Sequence, residues 1–201
     1  MVFNFFVSAP LAFADIEFWK VVEVTGPAEM KTSAESAWKN ITAPFYLKRG
    51  SLVRTGKDAS VDFCLSRQWD SFLRLNENSE MQIPAKSSSE ARLQKGSLFA
   101  LFERERVVEP FHIFSPELEI TLSTGGLEVS VLESGTNLKV FSESIEVLER
   151  TNTTFLKSIP EGWEWTKEGT RRLDFVDYDP WQRWFRKNYD RKDKFFLKHS
   201  L

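Results

Sequence analysis

From Phe45 to Glu149 the apolar residues return at every second position, the spacing that places them on one face of an extended strand. Clear runs are Val61/Phe63/Leu65, Leu73/Leu75, Met81/Ile83, Leu98/Ala100/Phe102, Phe111/Ile113, Leu118/Ile120/Leu122, Leu127/Val129/Val131, Leu138/Val140 and Ile145/Val147. Between them lie polar or charged residues such as Glu119, Thr121, Glu128, Ser130, Lys139 and Glu146. A strand patterned this way buries one face and leaves the other in water. The gaps hold turn formers: Thr55-Gly56-Lys57-Asp58, Asn76-Glu77-Asn78-Ser79, Gln94-Lys95-Gly96, Ser115-Pro116, Thr124-Gly125-Gly126 and Ser134-Gly135-Thr136-Asn137. Gly and Asn tolerate positive φ there, so short strands reverse at close spacing. Many short strands at near-even intervals predict an all-β sandwich, barrel or solenoid. No exact internal repeat underlies the rhythm.

After Pro160 the texture changes. Pro160 to Gly169 predicts a turn, a short edge strand carrying Trp163 and Trp165, and a second turn. A short helix is then expected from Asp179-Pro180, with Asp as cap and Pro at the first helical position. Trp181, Trp184, Phe185, Asn188 and Tyr189 recur at helical spacing, so the helix is amphipathic. This divides the chain into residues 1–14, a β-domain over 15–150, and a C-terminal extension over 151–201.

The chain has 201 residues, 41% of them apolar and 28% charged, which fits one globular domain with extensions. A formal net charge of −2 supplies no general attraction to nucleic acid. Charge is informative only at the end: Pro180 to Leu201 carries seven Lys or Arg against two Asp, about +5, and the remainder carries about −7. The lone Cys64 has no partner for an intrachain disulfide and reads as a small residue in a strand. With two histidines, His112 and His199, a metal cluster or Ser-His-Asp arrangement has little to draw on. Phosphate loops, nucleophile elbows and zinc-protease motifs are absent from the sequence. Thus neither a catalytic centre, a metal nor a cofactor is expected. The catalytic alternative is a carboxylate-dependent cell-wall glycan hydrolase built from Glu119, Glu128, Glu133 and Glu146, since glycosidases need only two carboxylates about 5–10 Å apart. A solvated strand face accounts for the same residues at lower cost. The sequons at Asn40 and Asn152 read as coincidence.

Met1 to Ala14 is rich in Phe, Val, Leu and Ala and closes on Ala12-Phe13-Ala14, the form of a secretory signal peptide, although no basic residue precedes the apolar run. It is too short and interrupted to span a bilayer, which takes about 20 apolar residues. A periplasmic or secreted location is expected.

The ordered motifs Val24-Thr25-Gly26-Pro27-Ala28-Glu29, Trp38, Gly50, Leu52-Val53-Arg54-Thr55-Gly56, Asn78-Ser79-Glu80, Lys95-Gly96-Ser97-Leu98 and Phe111-His112-Ile113-Phe114-Ser115-Pro116 resemble the FecR domain, over about Val21 to Val147. Ser123-Thr124-Gly125-Gly126 and Ser142-Glu143-Ser144 depart from the family pattern. The resemblance implies a periplasmic β-solenoid or two-sheet β-fold. In its best-known members the domain is the outer part of a membrane-spanning sigma-factor regulator that senses an iron-siderophore receptor. A stand-alone secreted form, without that cytoplasmic segment, is the expectation here.

The resulting expectation is a non-enzymatic envelope module that binds an envelope protein or cell-wall glycan. An envelope sensor of a transport receptor is a further alternative. Candidate contact residues are Trp163 and Trp165 on the edge hairpin and Trp181, Trp184, Arg183, Arg186 and Lys187 on the helix. The helix either packs its aromatics on the β-domain, the favoured reading, or makes peripheral membrane contact through residues 180–201.

Overall fold

The computed structural model describes residues 19–32, 37–103, 109–150 and 156–199. The signal-peptide reading of residues 1–14 and the Asn152 sequon lie outside them. The strands, in chain order, are β1 (Trp19–Thr25), β2 (Ala28–Thr32), β3 (Lys39–Asn40), β4 (Phe45–Leu47), β5 (Ser51–Thr55), β6 (Ser60–Cys64), β7 (Ser71–Leu75), β8 (Glu80–Gln82) and β9 (Glu90–Phe102). They continue as β10 (Phe111–Phe114), β11 (Leu118–Leu122), β12 (Gly125–Leu132), β13 (Gly135–Ser142), β14 (Ile145–Glu149), β15 (Leu156–Ile159), β16 (Trp163–Thr166) and β17 (Gly169–Arg172). One helix, α1 (Phe175–His199), follows.

The strands form two sheets that share β9. The first sheet runs β4-β1-β6-β7-β9-β12-β13-β16-β17, antiparallel throughout. The second runs β3-β2-β5-β8-β9-β10-β11-β14-β15, antiparallel except for the β9–β10 pair. Residues up to Lys95 of β9 pair in the second sheet and those from Gly96 onward in the first. Gly96 makes the change of sheet with φ of 79°, and a Cβ there would lie 2.1 Å from Ser79 Oγ, so only glycine fits. The Gln94-Lys95-Gly96 segment, expected as a turn, is therefore a bend inside one 13-residue strand.

The alternating apolar residues face each other between the sheets. Val61, Phe63, Leu73, Leu98, Leu127 and Val129 from the first sheet meet Val53, Met81, Ile113, Ile120 and Val147 from the second in one core. Trp19 and Phe102 of the first sheet reach Phe111 of the second, with ring centroids 5.9 and 5.1 Å apart. The extension beyond residue 150 continues this architecture, adding β15 to one sheet and β16 and β17 to the other.

The first sheet is buried on both faces. Cys64, Phe72, Phe99, Leu101 and Phe141 form a second core with Trp181 and Trp184 of α1, so the helix is a third layer. It is 25 residues long and starts before Asp179-Pro180. Asp174 caps it: its Oδ1 accepts from the N–H groups of Val176 (3.0 Å) and Asp177 (3.3 Å), and its own N–H donates to Asp177 Oδ2 (3.1 Å). This reciprocal arrangement satisfies the first free donors of the helix. Pro180 lies inside the helix on its exposed side, where the carbonyl left without its helical donor can meet water.

Gly126, expected in a turn, is in β12 and serves the helix. A Cβ on it would stand 2.4 Å from Trp181 Cζ2, so the indole lies directly on the strand backbone. Gly126→Val is expected to lower unfolding free energy by about 1–3 kcal/mol, measured by urea titration, with loss of near-UV tryptophan dichroism. Trp184→Ala, which empties the other anchor, is expected to cost about 3–5 kcal/mol.

Candidate binding site

The helix-covered face carries an unusual cross-strand row. Reading across the first sheet, Glu23, Asp62, Arg74, Phe99, Glu128, Lys139, Glu164 and Arg171 occupy facing positions on eight successive strands. Opposite charges facing across strands stabilise a sheet. Under a helix, however, such charges lose water and need partners. Asp62, 2% exposed, takes both forks of Arg74 at 2.6 and 2.9 Å and also Arg191 of α1 at 2.8 Å. Arg191 and Lys187 both pair with Glu23. At the other end Asp177 accepts from Lys139 at 2.8 Å and Arg171 at 2.9 Å, while Arg171 also reaches Glu164 at 2.5 Å.

Between these charged ends the helix lays down aromatics. Trp181 stacks on Phe141 at 5.0 Å and on Phe185 at 5.1 Å, and Trp184 meets Phe99 at 5.6 Å. The indole N–H groups of Trp181 and Trp184 are buried without an acceptor among the described residues, so the rings act through area and stacking. Burial pushes the Glu128 carboxyl up, with Lys139 and Ser130 opposing. The hydrogen bond from Arg171 holds the Asp177 carboxyl well below the usual carboxylate range, assisted by Lys139.

The open end of the sandwich offers a different surface. Here β15 ends one sheet and β17 ends the other, each pairing with a single strand among the described residues. A groove of about 590 Å³ lies at these edges, lined by Lys157, Ile159, Trp163, Trp165, Lys167 and Thr170 among others. Trp165 is buried in the main core and Trp163 packs half-buried against it, so the floor is rigid and aromatic. Arg172 sits 5.9 Å from the Trp163 ring centroid, a cation–π approach.

The candidate contact residues thus separate. Trp163 and Trp165 line the open-end groove. Arg183, Trp184 and Lys187 border a second groove, about 550 Å³, between α1 and the first sheet. Trp181 and Trp184, at 7% and 1% exposure, are packing residues of this fold, as favoured for the aromatic stripe. Arg183 is 71% exposed and pairs with Asp179 at 3.0 Å, and Arg186 is exposed. The expected edge strand at Trp163 is displaced by one place: β17 lies outside it. Sequence reading misses Asp62 and Glu23, and it assigns Arg191 to an anionic partner where the structure pairs it with these two carboxylates; the odd strand residue Asp62, standing between Val61 and Phe63, is the available signal.

Two carboxylates of the hydrolase alternative, Glu119 and Glu146, are diagonal neighbours on the outer face of β11 and β14, and the other two lie apart from them. Glu128 is on the first sheet, Glu119 and Glu146 are on the second, and Glu133 is in the β12–β13 turn. Among the described residues no group of His, Cys, Asp and Glu is arranged to hold a metal ion, and no helix is long and apolar enough to cross a membrane.

No established family profile matches the chain, and no curated protein matches it. Its fold is shared with solved structures. Two crystal structures of a "putative anti-sigma factor" from Parabacteroides distasonis superpose with a TM-score of 0.51 each, at 13% and 14% identity over 65% of this chain. The match spans 64% and 63% of those chains' own length. At this identity the likeness concerns the mostly β architecture.

Two outcomes follow from the buried groups. The folded-state pKa of Asp177 is depressed, so its contribution to stability is complete above about pH 4 and is lost as pH falls below that value. Asp177→Asn is expected to flatten the acid limb of the stability–pH curve in urea titrations between about pH 2 and 5. The buried Cys64 thiol is pushed up to about 11, so a thiolate-directed disulfide reagent at pH 8 is expected to react only after denaturation.

Proposed function

We propose that this protein is a non-enzymatic, FecR-like binding module of the bacterial envelope, located in the periplasm and acting by protein–protein contact in a sensing or regulatory role. The observation that carries this reading is the open end of the sandwich, where free edges of both sheets flank a groove with an aromatic floor. A free strand edge offers unpaired backbone donors and acceptors to another chain. A rigid, half-buried tryptophan beside it gives an apolar contact at low entropic cost.

Three further observations support the reading. The mostly β architecture is similar to that of the Parabacteroides distasonis structures, each described as a "putative anti-sigma factor". The motifs around Val53-Arg54-Thr55-Gly56 and Lys95-Gly96-Ser97-Leu98 fall on β5 and β9, where the bend at Gly96 demands that residue. The N-terminal apolar segment suits export. Cell-wall glycan is the competing occupant of the groove.

Site-specific photo-crosslinking in the native bacterium tests the proposal. A photoreactive residue at Thr170, on the open edge, is expected to capture a defined envelope protein, while one at Glu146, on the exposed face of the second sheet, captures none. Identical patterns at the two positions, or adducts with muropeptides alone, contradict it.

A further inference from the structure

The chemistry of the open edge identifies the class of segment it accepts, an inference that rests on the binding-module reading above. All four residues of β17 are exposed, and among the described residues they pair only with β16. The other short terminal strands, β3 and β4, contribute two and three residues. Beyond Leu173 and Asp174, Phe175 and Val176 open α1 and are 79% and 76% exposed. An exposed edge strand with two uncovered apolar side chains at the start of the next element is a surface of the kind that marks a protein contact.

Charge selects the partner. Trp163 faces Arg172 and Trp165 faces Thr170 in the β16–β17 register, whereas Glu164 faces Arg171. Thr170 and Arg172 therefore share the groove side of the strand, and Arg171 lies on the helix side, where Glu164 and Asp177 neutralise it. Arg172 approaches the Trp163 ring and Lys167 lines the groove; of the carboxylates in the lining, Glu149 pairs with Lys157 at 3.7 Å and Glu168 lies in the turn between the strands.

We propose that β17 receives an extended acidic segment of a partner protein as an added strand, its carboxylates meeting Arg172 and Lys167 and an apolar side chain meeting Phe175 and Val176. Main-chain bonds to the edge supply affinity and the alternating side chains supply selectivity.

The test is selection of displayed random octapeptides on the full chain, with the double variant Arg172→Glu, Lys167→Glu for counter-selection. Thermal melts confirm that the variant folds. Enriched peptides are expected to carry Asp or Glu at alternate positions, to bind the variant at least tenfold more weakly, and to slow amide exchange at Gly169–Arg172. Neutral or basic sequences, equal binding to the variant, protection at another strand, or no enrichment each overturn the proposal. A concentration-dependent dimer that protects β17 overturns it in favour of self-association. Should Thr170 crosslink an envelope protein while selection returns neutral peptides, the binding module stands and only its acidic partner falls.

Discussion

The outer face of the first sheet sets the terms for the rest of the molecule. Cys64, Phe72, Phe99, Leu101 and Phe141 give that face an apolar surface that water does not tolerate cheaply, yet Glu23, Asp62, Arg74, Glu128, Lys139 and Glu164 lie in a row through it. Any cover must bury the aromatics and return a counter-charge to whatever it dehydrates. Helix α1 meets both demands because it carries Asp177 in its first turn and Lys187 and Arg191 in its middle turns, with Trp181, Trp184 and Phe185 between them. Removing a partner of the buried Asp62 costs up to about 3–5 kcal/mol, because a charge is left behind without compensation, whereas the more exposed pairs of Lys187 and Arg171 are screened by water and contribute less.

That constraint also locates the place left for binding. The helix takes one face of the first sheet, the shared core takes the other, and the strands cover each other's interior edges. Among the described residues, besides the outer face of the second sheet and the short strands β3 and β4, the end at β15 and β17 stays open, where Trp163 is half-buried and β17 is fully exposed. The proposed function uses an edge and a groove supported by a rigid double core, the arrangement that recognition by strand addition needs.

Much of this was legible in the sequence, and the failures have physical causes. The two-residue rhythm located β6, β7 and β10 to β14 because each has one face in the main core. The same rhythm concealed the third layer, although the doubled apolar positions Cys64-Leu65, Phe72-Leu73, Phe99 to Phe102 and Val140-Phe141 showed a sheet buried on two faces. Gly96 and Gly126 were read as turn residues because local sequence does not distinguish a turn from a close approach, and Ser79 and Trp181 are remote in the chain. The helix start was set at Asp179-Pro180, a valid local signal; Asp174 with Asp177 made an equivalent cap one turn earlier. Trp163 and Trp165 were found at the open end, but the outermost strand was not, since Gly169-Thr170-Arg171-Arg172 has no apolar face to announce it.

The central claim is that α1 is a fixed layer of the fold, held by its aromatics and by the charged row. Native-state hydrogen exchange measures this most directly, residue by residue. The account predicts that amides of Trp181 to Arg191 open with the same free energy as those of β6, β7 and β9, in one cooperative unit. Helix amides exchanging orders of magnitude faster while those strands stay protected would contradict it.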